Sequence, residues 1–230
     1  YHPVLSFDIL AISSAYEQLF ANALILMDLA GMPVRSAERD ERYPLVVAGG
    51  HGTFNPEPMA DFFDVFVIGE AEAVLLELVD TVRATHDLSR EAQLEALLDV
   101  PGLYIPHFYR PAYSAAGNLE AVVPVDNRAP SRVLKRVLPT LPPTPVRQIV
   151  PNISTVHSRA LVEILRGCTR GCRFCQAGAI TRPVRERPVS EIVDSALQAL
   201  DATGFENLAL LSLSSADHTQ IGEIVPQLLP

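Results

Sequence analysis

The chain has 230 residues, 48% of them hydrophobic, a net charge of −9 and three cysteines. That length and apolar content suit one large or two small globular domains, the acidic balance argues against a general polyanion binder, and three cysteines grouped in one stretch cannot build a disulfide framework. No apolar run of about eighteen residues offers a membrane span and no signal-peptide pattern opens the chain, so a reducing, cytoplasmic setting is expected.

Phe7 to Ile12 reads as a strand that ends at Ser13. Tyr16 to Leu29 carries apolar residues at helical spacing, with Gly31 at a C-cap position. Leu45–Ala48 is a second short apolar strand running into Gly49-Gly50-His51. Asp64–Ile68 is a third, running into Gly69-Glu70, and a helix from Ala71 to Val82 follows. Strands alternating with helices predict a parallel α/β sheet. Ligands of such sheets lie at the carboxyl ends of the strands, where Ser13, Gly49, Gly50, Gly69 and Glu70 fall. The glycine pair is not G-x-G-x-x-G, and a tight turn is its plainest reading.

Ser89 is placed to cap a helix to Leu98. Leu103–Ile105 and Ala121–Val123 read as the arms of a hairpin turning at Ala116-Gly117-Asn118. Seven prolines between Pro124 and Pro151 mark an extended linker. The expected division is an α/β module over 1–88, a connecting helix, hairpin and linker over 89–151, and a second domain over 152–230.

Ala160–Leu165 is an apolar strand that leads into Arg166-Gly-Cys168-Thr-Arg-Gly-Cys172-Arg-Phe-Cys175. Gly167 and Gly171 let the chain turn so that three thiolates can converge from one loop. Thiolates suit iron–sulfur clusters or zinc. A [4Fe-4S] cluster ordinarily takes four cysteines, so three leave one iron open. A zinc site completed by His157 or His218 is the alternative metal reading, and reduced, unliganded thiols are a third. Six arginines, Arg166, Arg170, Arg173, Arg182, Arg185 and Arg187, crowd this region against Glu186 alone. They could neutralise a cluster and an anionic ligand, form an RNA or phosphate patch, or be plain surface charge. Ser190 is read as the cap of a helix to Thr203, stopped by Gly204, and Leu208–Leu213 as the next strand. Asp217 is read as a cap for the helix after it, with Gln220 three residues on.

The C-x3-C-x2-C spacing, with Phe174 before the last cysteine, resembles the cluster loop of radical S-adenosylmethionine (SAM) enzymes. The resemblance implies that Cys168, Cys172 and Cys175 hold a [4Fe-4S] cluster, that SAM chelates the open iron, and that its reductive cleavage yields a 5′-deoxyadenosyl radical. It puts Phe174 near the adenine of SAM, and Ser212, Ser214 and Ser215 at the strand end where many members carry Gly-Gly-Glu, so these serines stand in for the groups that hold the SAM amino group. Val47–Met59 and Phe66–Glu70 resemble the group of B12-binding-domain-containing radical SAM proteins. That implies an N-terminal cobalamin-domain-like sheet, with Ser13, Gly49, Gly50, Gly69 and Glu70 lining a cobalamin pocket, followed by the first βα units of a β/α barrel. The D-x-H-x-x-G motif that supplies a cobalt ligand in many such domains is missing, and His51 lies on a different loop. The implied cofactors are the cluster, SAM and, as a candidate, cobalamin. The implied partners are an external electron donor and a substrate, either an RNA or a small molecule. A zinc-stabilised RNA-binding module and a cobalamin-binding sensor are the alternatives. The start at Tyr1 and the two barrel strands in view lead to the expectation of an incomplete chain.

Overall fold

The computed structural model describes residues 2–153 and 155–229; Tyr1, Pro230 and Ser154, the last residue of a formal Asn152-Ile-Ser154 glycosylation triplet, lie outside the described residues. The chain forms two compact units, Tyr1–Leu138 and Pro139–Pro230.

The first unit is built on a four-stranded sheet in the order β1-β2-β3-β4, from Ile9–Ser13, Leu45–Gly49, Val65–Val67 and Leu103–Tyr104. β1, β2 and β3 run parallel, with Ile9 opposite Leu45 and Val47 opposite Val65. β4 pairs antiparallel with β3, Phe66 facing Tyr104. Leu45 to Ala48 and Val65 to Val67 are buried along their whole lengths, which is why these strands read as unbroken apolar runs rather than alternating ones. Helices α1 (Phe20–Leu29), α2 (Ala71–Ala84) and α3 (Arg90–Leu97) pack their Met27, Leu78 and Leu97 side chains into the core. Full burial of one such side chain contributes about 1.5–3 kcal/mol. Ser89 caps α3 as its sequence predicts, its Oγ accepting from the Ala92 N–H at 3.3 Å.

The hairpin differs from expectation. Its arms are β5 (Tyr109–Tyr113) and β6 (Leu119–Pro124), with Gly117 in the turn at φ +81°. Leu103-Tyr104 instead joins the main sheet, because Pro106 opens a 3-10 turn over Pro106–Phe108 and restarts the chain on a new strand.

The first unit also takes in the helix, the hairpin and part of the linker expected to stand apart as residues 89–151. Arg136 makes a parallel bridge with Gly69. Its N–H donates to the Ile68 carbonyl at 2.8 Å, and its own carbonyl accepts from the Glu70 N–H at 3.0 Å. The Leu138 N–H donates to Glu70 Oε2 at 2.6 Å, and the Arg136 guanidinium grips both Glu77 carboxylate oxygens at 2.6 and 2.8 Å. Backbone groups just beyond the end of β3, at Ile68 and Glu70, thus find their partners in Arg136, which orders this part of the proline-rich segment.

In the second unit β7 (Ala160–Glu163) and β10 (Leu208–Leu211) pair in parallel, Ala160 opposite Leu208. Between them in the chain come β8 (Leu165–Arg166), α4 (Gln176–Ile180), β9 (Arg185–Glu186) and α5 (Val189–Thr203); α6 (Ile221–Leu228) follows. Val162, Ile164, Leu165, Ile192, Ala196 and Ile224 form its core. Pro188, not Ser190, is the N-cap of α5, because the helix begins two residues earlier than the serine would place it; Gly204 ends it in the left-handed region at φ +70°. Pro226 lies inside α6.

Candidate functional site

The three cysteines sit on an excursion that leaves the sheet after β7 and is closed at its base. β8 and β9 pair antiparallel there, Leu165 facing Glu186 and Arg166 facing Arg185. Gly167 turns the chain at φ +90°, and a Cβ on it would stand 2.8 Å from the Pro183 carbonyl oxygen. Gly171 is different: its φ is not positive, and nothing lies within 4 Å of where its Cβ would be. The tight turn expected of both glycines is made by Gly167.

Cys168 is buried, Cys175 half-buried and Cys172 exposed. Among the described residues no three His, Cys, Asp or Glu side chains are gathered closely enough to hold a metal ion. Two of the cysteines nonetheless face a common space. A Cβ on Gly178 would lie 3.6 Å from Cys175 Sγ and 3.8 Å from Cys168 Cβ. Gly178 thus leaves open the volume between them. The sulfurs also receive backbone donors: Arg170 N–H reaches Cys168 Sγ at 3.4 Å, and Gly178 N–H reaches Cys175 Sγ at 3.3 Å, capping α4. Amide hydrogens aimed at sulfur tune a cluster held by it. Two cysteines flanking Gly178, a third that is exposed, and amide donors to two of the sulfurs fit a thiolate-bound cluster.

The zinc alternative loses one of its ligands. His218 is buried; its Nδ1 accepts from the Gln220 N–H at 3.1 Å, so its Nε2 carries the proton and donates to the Arg187 carbonyl at 3.1 Å. Both nitrogens are engaged. His157 is exposed ahead of β7.

The arginines divide by role. Arg187 is 2% exposed; it donates to the Glu163 and Pro142 carbonyls at 2.9 and 2.8 Å and pairs with Glu191, fastening the core of its unit. Arg166 pairs with Glu163 at 2.9 Å. Arg182 donates to the Arg170 carbonyl at 3.1 Å. Arg170 reaches across 47 residues of sequence to Asp217, its Nε 2.6 Å from Oδ2. The guanidinium holds the Asp217 carboxyl down at about 2, with the Ser214 hydroxyl helping; Asp217 in return raises the Arg170 pKa, and the nearby Cys168 and Cys172 sulfurs add to that. Phe174, beside Cys175, is 92% exposed and presents its ring to solvent.

Ser212, Ser214 and Ser215 gather in one turn after β10, as their sequence predicts. The Ser215 hydroxyl donates to the Leu210 carbonyl at 3.1 Å, so in the 2.9 Å contact between Ser212 and Ser215 the Ser212 hydroxyl is the donor. Ser212 Oγ accepts from the Ser214 N–H at 3.1 Å, and the Ser214 hydroxyl donates to Asp217 at 2.7 Å. The hydroxyl protons therefore shape the turn, and its oxygen lone pairs and carbonyls are what it can offer an ammonium group. Asp217 does not cap α6, which begins at Ile221 with Gln220 as its N-cap; a 3-10 turn over Ser215–Asp217 turns the carboxylate toward Arg170 instead. The Arg170–Asp217 pair and the Gly178 space escaped the sequence reading, for want of any local pattern joining positions so far apart.

At the carboxyl edge of the first unit's sheet, Ser13 and Gly49 are opposite each other. Ser13 and Gly50 are exposed. Gly50 has φ +105° and passes close to Ser14, whose carbonyl oxygen would be 2.7 Å from a Cβ there. Gly69, at φ +107°, would collide with the Arg136 backbone if it carried a Cβ. The Gly69-Glu70 turn thus holds the chain's own residues 136–138, while Ser13, Gly49 and Gly50 form the open part of the edge.

Residues 1–106 match the family model described as radical SAM proteins, N-terminal. An uncharacterized protein of Methanocaldococcus jannaschii is 26% identical over 230 aligned residues, covering 97% of this chain and 42% of the relative. The ribosomal protein uS12 methylthiotransferase of Desulfotalea psychrophila is 34% identical over 59 residues, 26% of this chain and 13% of that protein. Among solved structures, the radical SAM methyltransferase TsrM from Kitasatospora setae, with cobalamin and a [4Fe-4S] cluster bound, superposes with a TM-score of 0.52 at 16% identity, covering 96% of this chain and 40% of that one. The likeness to TsrM is one of fold. The chain spans less than half the length of the Methanocaldococcus relative.

Proposed function

We propose, from the match of residues 1–106 to the family model described as radical SAM proteins, N-terminal, that this chain carries the cluster loop and the SAM-holding turn of a radical SAM iron–sulfur enzyme. Cys168, Cys172 and Cys175 are the ligands to three irons of a [4Fe-4S] cluster. The observation that carries the reading is the closed excursion after β7, which holds every cysteine of the chain, brings Cys168 and Cys175 to the space beside Gly178 and gives both an amide donor. When bound, such a cluster with one open iron supplies the electron for reductive cleavage of SAM to methionine and a 5′-deoxyadenosyl radical.

The chain's own groups have defined tasks around that chemistry. The amides of Arg170 and Gly178 point at two of the ligand sulfurs. Gly178 keeps the space between two ligands clear. The exposed ring of Phe174 offers a flat apolar face to adenine. The turn Ser212–Ser215 offers oxygen acceptors to the SAM amino group. Cobalamin is the third cofactor of the proposal: the fold is like that of a cobalamin-bound methyltransferase, and Ser13, Gly49 and Gly50 are the groups at the open sheet edge that would meet it. The electron donor and the substrate come from outside the chain, in a reducing compartment such as the cytoplasm.

The test is electron paramagnetic resonance of the full-length protein, reconstituted without oxygen and reduced, with and without SAM. A cluster spectrum that changes on adding SAM is the expected result. A cluster indifferent to SAM, or stoichiometric zinc in place of iron, would overturn the reading.

A further inference from the structure

We propose that Arg170 and Asp217 form a positioning clamp that locks the turn after β10 to the cluster loop, so that the acceptors for the SAM amino group keep a set distance from the open iron. The inference rests on the radical SAM reading and assigns roles within it. Arg170 lies between Cys168 and Cys172 in sequence, and its backbone N–H already contacts Cys168 Sγ. Its guanidinium meets Asp217 through two parallel bonds, Nε to Oδ2 at 2.6 Å and a terminal nitrogen to Oδ1 at 2.5 Å. A bidentate guanidinium–carboxylate pair fixes orientation as well as distance. Arg182 steadies the same residue from the far side of the loop through the Arg170 carbonyl.

On the other side Asp217 belongs to the serine turn, bonded to Ser214 at 2.7 Å. That turn does not need Arg170 in order to form. Its serines bond to one another and to the Leu210 carbonyl. The residues after it are fastened to β9 and its neighbour: the Thr219 N–H donates to Glu186 Oε1 at 2.8 Å, and His218 bonds to the Arg187 carbonyl. What the pair adds is a direct link between this pre-formed turn and the residues between two cluster ligands. The Asp217 side chain is 12% exposed and that of Arg170 66%, so the carboxylate is the fixed half and the guanidinium the half that is held. Arg170 and Asp217 are therefore positioning residues: they act on SAM through the parts they join.

The experiment uses the full-length protein with Arg170→Gln, Arg170→Lys and Asp217→Asn, each reconstituted without oxygen. Iron and sulfide content and the spectrum of the reduced cluster without SAM are measured first; SAM is then titrated and the half-maximal concentration for the spectral change is read. The expected result is wild-type cluster content and an unchanged SAM-free spectrum in all three, with the half-maximal SAM concentration raised about tenfold or more, as follows from misplacing a binding group. Lysine keeps the charge without the fork, so an Arg170→Lys protein equal to wild type would overturn the clamp in favour of charge alone. An unchanged titration in Asp217→Asn, or loss of the cluster from the variants, would also overturn it. A wild-type cluster that ignores SAM would overturn the radical SAM reading and the clamp with it, and that result is visible before any variant is compared.

Discussion

Asp64 opens β3's approach and is 2% exposed, yet it is a carboxylate. It accepts from Arg39 at 3.0 Å, Arg90 at 2.6 Å, Ser36 at 2.7 Å and the Val46 N–H at 2.7 Å. Arg39 is itself buried, and desolvation lowers its pKa even with Asp64 beside it. Removing one partner of a buried pair leaves the other uncompensated, so Asp64→Asn should destabilise the protein by about 3–5 kcal/mol, read as a lower denaturant midpoint. In sequence Asp64 is simply the polar first residue of an apolar run; its partners lie 25 and 26 residues away and no local pattern links them. Asp217 makes a contrasting case. Its carboxyl is depressed from 3.8 to about 2 by Arg170 and Ser214. A depressed carboxyl contributes stability that is fully present above its unfolded value and is lost as pH falls through the folded one. The Arg170–Asp217 contact should therefore persist below pH 4 and fail near pH 2, which a carboxyl-carbon NMR titration of Asp217 would follow; a midpoint near the ordinary aspartate value would contradict the bidentate geometry. His218 gives a third residue-scale expectation. Nitrogen NMR should find it as the Nε2–H tautomer, whereas zinc ligation would remove that signature.

The elements themselves were largely legible. β2, β3, α2 and α5 follow from unbroken apolar runs and helical spacing, and Gly31 and Gly204 do take positive φ at helix ends. The errors fall where a short strand has several partners to choose from. Leu103-Tyr104 looked like a hairpin arm because Gly117 promised a turn, but its apolar pair gains more by closing the main sheet against Phe66 and Val67. Tyr109–Tyr113 carries no apolar pattern, because Arg110 and Pro111 break it; beyond the buried Tyr109 it is a mostly exposed ribbon. In the cysteine loop the spacing was readable, but the closing β8–β9 pair was not, since two-residue strands carry no period. That base can be tested. Gly167→Ala puts a methyl group against the Pro183 carbonyl at φ +90°, a strain of about 1–3 kcal/mol. It should lower the melting temperature and the iron bound per chain after reconstitution. Gly171→Ala, with open space around it, should leave both within error. Equal behaviour of the two variants would mean that the closed base is not what holds the loop.

At the scale of the molecule, length and composition allow one large domain or two small ones, and proline content puts a boundary near Pro151. Proline density marks where helix and central strand are excluded, not where packing ends. The first unit runs on through Arg136, because its sheet offers backbone partners at Ile68 and Glu70 and a carboxylate at Glu77. Beyond it, no helix or strand is assigned between Leu138 and Ala160 among the described residues, and Ile149 and Val156 are 95% and 88% exposed. These facts separate basic residues that look alike in sequence. Lys135 and Arg136 lie in the segment bridged to Gly69, whereas Arg147 and Arg159 lie in the stretch without regular structure. A protease must draw an extended backbone segment into its site, which needs local opening. Brief trypsin digestion of the native protein should therefore cut after Arg147 or Arg159 before it cuts after Lys135 or Arg136, and mass spectrometry of the first products would identify the bonds. The N-terminal product would then keep the Arg136–Glu77 grip and the whole of the first core, and should still unfold cooperatively. First cuts at Lys135 or Arg136 would mean that the linker bridge opens more readily than the chain beyond it, and that the boundary belongs where the prolines begin.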